Sequence, residues 1–209
     1  MDEYKEVLYE HIPKLNTLEV GNLSARHALR THLKCKSFSW FLHSVAPDLL
    51  EAYPPLEPVD FAFGALQSLA NTSLCLDVSS QHYERQKIGN LTECSPDLRH
   101  PYAAQKWSLT FRKDLRFEDA CVEVQTWSPN ASLWLWPCHN NAGNQFWYYD
   151  RETHMMMHGD ENMQQRCLEA DLATGVAVVN DCDYENVGMK WHWGYVNAKA
   201  MNGFFKQLN

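Results

Sequence analysis

Short runs of aromatic and β-branched residues, separated by polar turn residues, dominate the chain after about residue 60. Examples are residues 134–136 (Trp-Leu-Trp), 145–149 (Gln-Phe-Trp-Tyr-Tyr) and 176–179 (Val-Ala-Val-Val). Stretches rich in Ser, Pro, Asn and Gly lie between them, such as residues 128–130 and 141–144. Runs of this length and composition are typical of β-strands joined by tight turns. The pattern predicts an all-β segment with little helix.

The first fifty residues instead carry apolar side chains at helical spacing. Residues 2–10 predict a helix that ends before Pro13, and a second helix is predicted from residues 22–24 with Leu29 and Leu33 on one face. A third helix is expected to be capped by its preceding serine and to end before a proline; it comprises Ser37, Phe38, Phe41, Leu42, Val45 and Pro47. Such an aromatic-rich stripe predicts a partner surface: it either packs on the all-β segment or stays exposed as a sticky patch. The proline-rich residues that follow predict a stiff linker.

Cysteines recur with a fixed period in the all-β segment. The first cysteines of the three units are equally spaced, and each is followed by a second cysteine and then by a Gln-x-Trp-like element. The three sets are Cys75, Cys94 and Trp107; Cys121, Cys138 and Trp147; Cys167, Cys182 and Trp191. One period carrying three separate markers indicates an internal repeat whose units must pack together to bury a core. The three tryptophans are expected to belong to that core.

Repeat symmetry favours pairing the cysteines within each unit, although six cysteines allow many connectivities. The predicted disulfides are Cys75–Cys94, Cys121–Cys138 and Cys167–Cys182. Each would contribute about 3 kcal/mol in the chain-entropy model. Buried free thiols are the alternative, and zinc is disfavoured because no Cys-x-x-Cys occurs. Three disulfides predict folding in an oxidising compartment.

Composition and charge exclude several classes of function. The net charge of -8, from 18 Lys and Arg against 26 Asp and Glu, argues against a nucleic-acid binder. No apolar run is long enough to span a membrane, and the first residues show no secretory signal pattern. Three sequons make Asn71, Asn90 and Asn130 candidate N-glycosylation sites. His154 and His158 flank three methionines, but a strand or loop is favoured there over a helical metal site, and we predict no metal site.

The Cys-Leu-Asp…Cys…Gln-x-Trp pattern, present three times, resembles the ricin-type β-trefoil lectins. Residues 1–5 and 33–42 (Leu-Lys-Cys-Lys-Ser-Phe-Ser-Trp-Phe-Leu) resemble the end of the catalytic domain and the connector of polypeptide N-acetylgalactosaminyltransferases, which begin mucin-type O-glycosylation in the Golgi. The resemblance implies a helical remnant of that end and connector, a linker, and a β-trefoil in three repeats. Their expected bounds are 1–50, 51–59 and 60–209, with repeats over 60–107, 108–150 and 151–209.

The resemblance also implies what the chain does not do by itself. The family's Asp-x-His motif, which helps to bind manganese, is absent, as is the alternating pattern of a nucleotide-binding sheet. We therefore expect no transferase activity and no cofactor in this chain, since manganese belongs with the missing catalytic domain. The alternatives are a module of an active transferase whose catalytic domain is not in this chain, or a structural trefoil with decayed sugar sites. The expected location is the Golgi lumen.

In the family, a sugar is held by the Asp of Cys-Leu-Asp, an aromatic residue two positions before the second cysteine, and the Asn before Gln-x-Trp. The second repeat keeps most of this pattern, although a glutamate replaces the aspartate; its candidate residues are Glu123, Trp136, His139, Asn144 and Gln145. The alternative is that Trp136 is a core residue. The implied partners are glycopeptides or glycoproteins bearing N-acetylgalactosamine.

The other two repeats keep less of the pattern. Asp77 is a weaker candidate, because Thr92 and Ala104 take the other two positions, and it alternatively bonds only to backbone in a turn. The third repeat is expected to be structural; it carries Glu169, Asn180, Gly188 and Met189.

Cys35 is the odd seventh cysteine. Its counterpart in the family pairs with the catalytic domain, so here it is a free thiol, an intermolecular disulfide or a buried inert thiol. Together with Phe38, Phe41 and Leu42 it marks a candidate partner surface.

Overall fold

The computed structural model describes residues 15, 17–49, 59–78, 85–159 and 164–205. Residues 203–205 are described by their backbone alone. The chain divides into two compact units, residues 1–58 and 59–209. The helix predicted over residues 2–10 and the linker residues 51–58 lie outside the described residues.

The described part of the first unit includes the helices Ser24–His32 and Phe38–Ser44. Ser37 caps the second helix, because its Oγ accepts a hydrogen bond of 3.0 Å from the Trp40 amide. Both predicted helices and the predicted cap are therefore confirmed.

The apolar stripe on the second helix is only partly exposed. Phe38 and Phe41 are exposed, and their rings stack with centroids 5.9 Å apart. Leu42 is only 4% exposed, so including it in a partner surface was wrong. Cys35 is free and exposed, which excludes the alternative of a buried inert thiol.

The described residues of the second unit include thirteen antiparallel strands. They are β1 Ala62–Ser68, β2 Leu74–Asp77, β3 Gln86–Ile88, β4 Asn90–Glu93, β5 Trp107–Leu109, β6 Leu115–Phe117, β7 Ala120–Val124, β8 Ala131–Pro137, β9 Trp147–Asp150, β10 Met155–His158, β11 Arg166–Asp171, β12 Val176–Asp181 and β13 Trp191–Val196. A short 3-10 helix precedes each Gln-x-Trp-like tryptophan, over Ala103–Gln105, Gly143–Gln145 and Val187–Met189.

The strand pairing repeats three times. In each repeat the two cysteines lie at the open end of one hairpin, formed by β2 with β4, β7 with β8, or β11 with β12. Strand β12 also pairs with β4 and β8, which brings the three hairpins together, and β13 pairs with β1, next to the start of the first repeat. This arrangement is a β-trefoil, and the predicted fold class is confirmed.

The three repeats also share one core contact. The buried indole of each repeat donates a 2.9 Å hydrogen bond from Nε1 to a carbonyl of the strand that carries the first cysteine. The pairs are Trp107 with Leu76, Trp147 with Val122 and Trp191 with Leu168. The bond satisfies the only polar atom of each indole, so the ring is buried without an unpaired donor. The expectation that these tryptophans belong to the core is confirmed, since none is more than 1% exposed.

Each repeat is closed by its own disulfide. The bonds are Cys75–Cys94, Cys121–Cys138 and Cys167–Cys182, each with a Cα–Cα distance of 5.0 Å. The first cysteine of every pair is fully buried, so each disulfide joins the core to the loop after its hairpin.

Two features of the second unit bear on other expectations. The methionines at 155–157 lie in strand β10, which pairs with β9 and β11, so the segment does not form a helix. A helix over Ala198–Phe205 follows β13 and was not predicted; Asn197 Oδ1 caps it by accepting a 3.0 Å bond from the Ala200 amide.

No helix among the described residues is long and apolar enough to cross a membrane. The same residues contain no cluster of three or more metal-ligating side chains.

Candidate functional site

A buried glutamine organises the loop after the second cysteine in the first two repeats. Gln105 Oε1 accepts a 2.9 Å hydrogen bond from the Ser95 amide, and Gln145 Oε1 accepts one of 3.1 Å from the His139 amide. Ser95 and His139 each follow the second cysteine of their repeat. The glutamine thus fixes the loop while its NH2 group remains available for the carboxylate.

In the second repeat that NH2 group reaches Glu123. Gln145 Nε2 donates to Glu123 Oε2 at 3.1 Å and to the Pro137 carbonyl at 3.1 Å. The equivalent distance from Gln105 Nε2 to Asp77 Oδ2 in the first repeat is 3.3 Å. The extra methylene of Glu123 therefore does not separate its carboxylate from the glutamine.

His139 holds the amide of Asn144 in one orientation. The Asn141 amide donates to His139 Nδ1 at 3.1 Å, so Nδ1 is an acceptor and the neutral ring carries its proton on Nε2. His139 Nε2 then donates to Asn144 Oδ1 at 3.0 Å. Because the oxygen is used, Asn144 presents its NH2 group, which makes no hydrogen bond within the described residues.

Trp136 lies on the outer face of strand β8. Leu133 and Leu135 are fully buried, whereas Trp136 is half-buried and on the opposite side of the strand. It pairs directly with Cys121, next to the pair formed by Glu123 and Trp134. The alternative that Trp136 is a core residue does not agree with this placement.

Glu123 keeps an unused acceptor. The side chain is 8% exposed, and among the described residues only Gln145 donates to it, at Oε2. Oε1 is left for another donor. The second repeat therefore combines one carboxylate oxygen, one amide donor at Asn144 and one aromatic surface at Trp136.

The loop between these groups has an unusual backbone. Ala142 adopts φ 54° and ψ −125°, a conformation that glycine tolerates and alanine rarely adopts. Arg116 supports the same loop, because its Nη2 donates to Asn140 Oδ1 at 3.2 Å and to buried Asp114 Oδ2 at 3.0 Å. Strain of this kind is frequent at binding sites, where surrounding contacts fix the backbone.

The first repeat engages its carboxylate differently. Thr92 takes the position that Trp136 occupies in the second repeat, and its Oγ1 donates to Asp77 Oδ2 at 2.7 Å. Asp77 lies in strand β2 rather than in a turn, and its Oδ2 accepts hydrogen bonds from the side chains of Thr92 and Gln105. Ala104 provides no amide equivalent to Asn144. The first repeat thus keeps the carboxylate without the aromatic surface or the amide.

The third repeat uses both oxygens of its carboxylate internally. Asn180 Nδ2 donates to Glu169 Oε2 at 2.6 Å, and Asn186 Nδ2 donates to Oε1 at 2.9 Å. Met189 replaces the glutamine and keeps only its acceptor role, since Sδ accepts from the Asp183 amide at 3.2 Å. The part played by Asn186 was not predicted, because no equivalent residue occurs in the other repeats.

Arg85 contacts Trp136 across two repeats, which was also not predicted from the sequence. The guanidinium carbon of Arg85 lies 4.7 Å from the centroid of the Trp136 ring. Arg85 precedes β3 of the first repeat, and β3 pairs with β8 of the second. No spacing within one repeat signals such a contact.

The three sequon asparagines are all exposed. Asn71 Oδ1 accepts from the Ser73 amide at 3.0 Å in a turn, and Asn90 lies on strand β4. Asn130 exchanges side-chain and backbone hydrogen bonds with Asn180 of the third repeat. Their use as glycosylation sites stays a prediction.

Comparison with known proteins agrees with the fold. The chain is 41% identical to the N-acetylgalactosaminyltransferase 4 of Drosophila melanogaster over 214 residues, which cover 100% of this chain and 33% of that protein. Its fold is similar to a crystal structure of GalNAc-T7 with UDP, GalNAc and Mn2+ (TM-score 0.60, 21% identity, 94% of this chain and 34% of that one). It is also similar to the β-trefoil lectin of the Vibrio vulnificus hemolysin/cytolysin with N-acetyl-D-lactosamine bound (TM-score 0.50, 22% identity, 66% and 96%).

These matches define the extent of the relationship. The chain spans about a third of the length of the Drosophila transferase, and it corresponds to the lectin part of such enzymes. The family model of the ricin-type β-trefoil lectin domain matches residues 62–191, which contain every candidate sugar-binding residue described above. The chain belongs to the ricin-type β-trefoil lectin family and is homologous to the lectin part of polypeptide N-acetylgalactosaminyltransferases.

Proposed function

We propose that the second repeat binds a terminal N-acetylgalactosamine or a related galactose-type sugar. The observation that carries this proposal is the unused Oε1 of Glu123, which lies in a repeat whose Asn144 amide is also unused. A galactose-type ring offers vicinal hydroxyls to such a pair and an apolar face to an aromatic ring such as Trp136. A single shallow site of this kind gives an affinity of about 1 mM, or roughly −4 kcal/mol.

The first and third repeats play structural roles in this proposal. Thr92 occupies the place of the aromatic surface in the first repeat, and Asn180 with Asn186 occupies both carboxylate oxygens of Glu169 in the third. A sugar would have to displace these internal hydrogen bonds before it reached the carboxylate. Asp77 therefore remains the weaker candidate.

The relatives support a proposal for the biological setting. The chain serves as the sugar-binding module of a polypeptide N-acetylgalactosaminyltransferase, or of an inactive relative, in the Golgi lumen. It has no transferase activity by itself. Its ligands are peptides that already bear N-acetylgalactosamine, and a weak sugar site becomes effective when it is tethered beside a second binding event.

The test is an NMR titration of the complete chain with N-acetylgalactosamine. We expect chemical shift changes at the Trp136 indole and the Asn144 side-chain amide, with a dissociation constant of about 1 mM. The Glu123→Gln variant should lose most of the affinity. The Glu169→Gln variant is the matched control, because it changes the equivalent carboxylate of the third repeat and should leave the affinity unaltered.

Two outcomes would contradict the proposal. No shift at Trp136 or Asn144 with tens of millimolar sugar would identify a purely structural trefoil. A manganese-dependent transfer of sugar from a UDP-sugar to a mucin peptide by this chain alone would contradict the assignment as a non-catalytic module.

A further inference from the structure

Two basic residues of the first repeat lie on the sheet face that carries the second repeat's site. Strand β3 pairs with β8 so that Lys87 stands opposite Trp134, which itself stands opposite Glu123 on β7. Side chains directly opposite each other on neighbouring strands share one face of the sheet. Lys87 and Glu123 therefore lie on either side of Trp134 on this face.

Arg85 extends the same face beside Trp136. The register pairs Gln86 with Leu135, so Arg85, which precedes β3, stands next to Trp136 of β8. The guanidinium carbon of Arg85 lies 4.7 Å from the centroid of the Trp136 ring. A guanidinium stacked on a ring keeps its in-plane N–H donors for another acceptor, and Arg85 donates to no other described residue.

Both cations lack a carboxylate partner in the described part of the chain. The ion pairs there join His100 with Asp97, Arg116 with Asp114 and Arg166 with Asp181. Arg85 and Lys87 are both exposed, and they belong to a protein with a net charge of -8. Two unpaired cations beside an aromatic surface in an acidic protein point to an anionic group in the ligand.

We propose that Arg85 and Lys87 form a carboxylate-binding edge of the second-repeat site. The inference rests on the proposed function, since the sugar occupies the groups at Glu123, Trp136 and Asn144. The carboxylate comes from an Asp or Glu of the glycopeptide or from a sialic acid on the sugar, and both present the planar acceptor that a guanidinium binds. The preferred ligand is thus an acidic glycopeptide rather than the neutral sugar.

Calorimetry on the complete chain with three synthetic probes tests the inference. The first probe is a neutral peptide with one N-acetylgalactosaminyl threonine, the second adds a glutamate beside that threonine, and the third carries sialic acid on the sugar of the neutral peptide. At low salt we expect about tenfold tighter binding of at least one acidic probe, with the preference decreasing at high salt because exposed charges are screened. The tighter probe identifies the source of the carboxylate.

The variants are compared by the ratio of acidic to neutral affinity, which a general loss of stability does not change. The Arg85→Ala, Lys87→Ala double variant should bring the ratio close to one. A Lys106→Ala, Arg151→Ala variant removes the same charge from two other exposed basic positions and should keep the ratio of the unaltered chain.

The outcomes separate the two proposals. Equal binding of all three probes by the unaltered chain, or an unchanged ratio in the Arg85 and Lys87 variant, overturns the carboxylate edge while leaving the sugar site intact. Failure to bind any probe overturns both. A ratio lost only in the Arg85 and Lys87 variant supports the edge.

Discussion

Asn180 donates a 2.6 Å hydrogen bond to the carboxylate of Glu169, from the position that Trp136 occupies in the second repeat. The residue two places before the second cysteine therefore contributes to what happens to the carboxylate. The amide of Asn180 occupies Oε2 of Glu169 and Asn186 occupies Oε1, whereas the indole of Trp136 gives no hydrogen bond to Glu123. Two amide donors thus separate the structural third repeat from the candidate binding repeat.

Removing this amide should weaken the fold without affecting sugar binding. The Asn180→Ala variant leaves Oε2 of the half-buried Glu169 without its donor, and it also removes the bonds between Asn180 and Asn130. We expect the free energy of unfolding to fall by about 2 kcal/mol, because hydrogen bonds to charged groups are worth more than neutral ones. Urea unfolding with the disulfides intact measures this change. A loss of sugar affinity without a loss of stability would contradict the structural role of the third repeat.

Replacing Ala142 by glycine should stabilise the protein. Ala142 is held at φ 54° and ψ −125°, a backbone conformation that costs an L-residue free energy and costs glycine little. The Ala142→Gly variant should gain about 1 kcal/mol in unfolding free energy, although glycine also increases the entropy of the unfolded chain. Ala173 lies in an exposed turn and is not among the positive-φ residues, so Ala173→Gly is the control and should not stabilise. Equal effects at the two positions would show that Ala142 is unstrained.

His158 should make the stability decrease in acid. Its side chain is fully buried, Nδ1 donates to the Phe146 carbonyl at 2.9 Å, and Nε2 has no partner among the described residues. Burial lowers the pKa of His158 from 6.5 to about 4, and the charge of Arg166 acts in the same direction. Protonation therefore favours the unfolded chain between these two values.

The loss of stability that results from protonating His158 occurs over a defined range of pH. It should be absent above about pH 6.5 and complete below about pH 4, and it should reach about 3 kcal/mol from this group. Chemical unfolding at several pH values measures the total slope, and the His158→Phe variant should lack this contribution. An NMR titration that gives His158 a normal pKa in the folded protein would contradict the argument.

The residues differ in how well their roles could be predicted from sequence. The cores of the repeats were predictable, because the cysteine and tryptophan spacing records contacts such as Trp147 with Val122 that recur in all three. The roles of Asn186 and Arg85 were not predictable. The contact of Asn186 with Glu169 exists in a single repeat, and the contact of Arg85 with Trp136 joins two repeats. The C-terminal helix was also missed, since its main signal is the local cap at Asn197. A contact that recurs in several repeats, such as that of Gln145 with Glu123 and of Gln105 with Asp77, can be predicted from the sequence, whereas a contact made once cannot.

Exchanging Gln145 for methionine would test how far the glutamine controls the second site. In the third repeat Met189 keeps the contact with the Asp183 amide but has no donor for a carboxylate. The Gln145→Met variant should likewise retain the loop while losing the bonds to Glu123 and the Pro137 carbonyl. We expect a stability loss of about 1–2 kcal/mol, because the partly buried hydrogen bond to the Pro137 carbonyl is lost.

The same change should also lower the affinity for N-acetylgalactosamine by about tenfold, because a carboxylate that is no longer held by Gln145 binds hydroxyl groups less precisely. Gln105→Met in the first repeat is the matched control, since Gln105 makes the equivalent bonds to Asp77 and the Glu93 carbonyl. It should cost a similar amount of stability and leave the affinity unchanged. If the two variants lower the affinity equally, the sugar site is not confined to the second repeat.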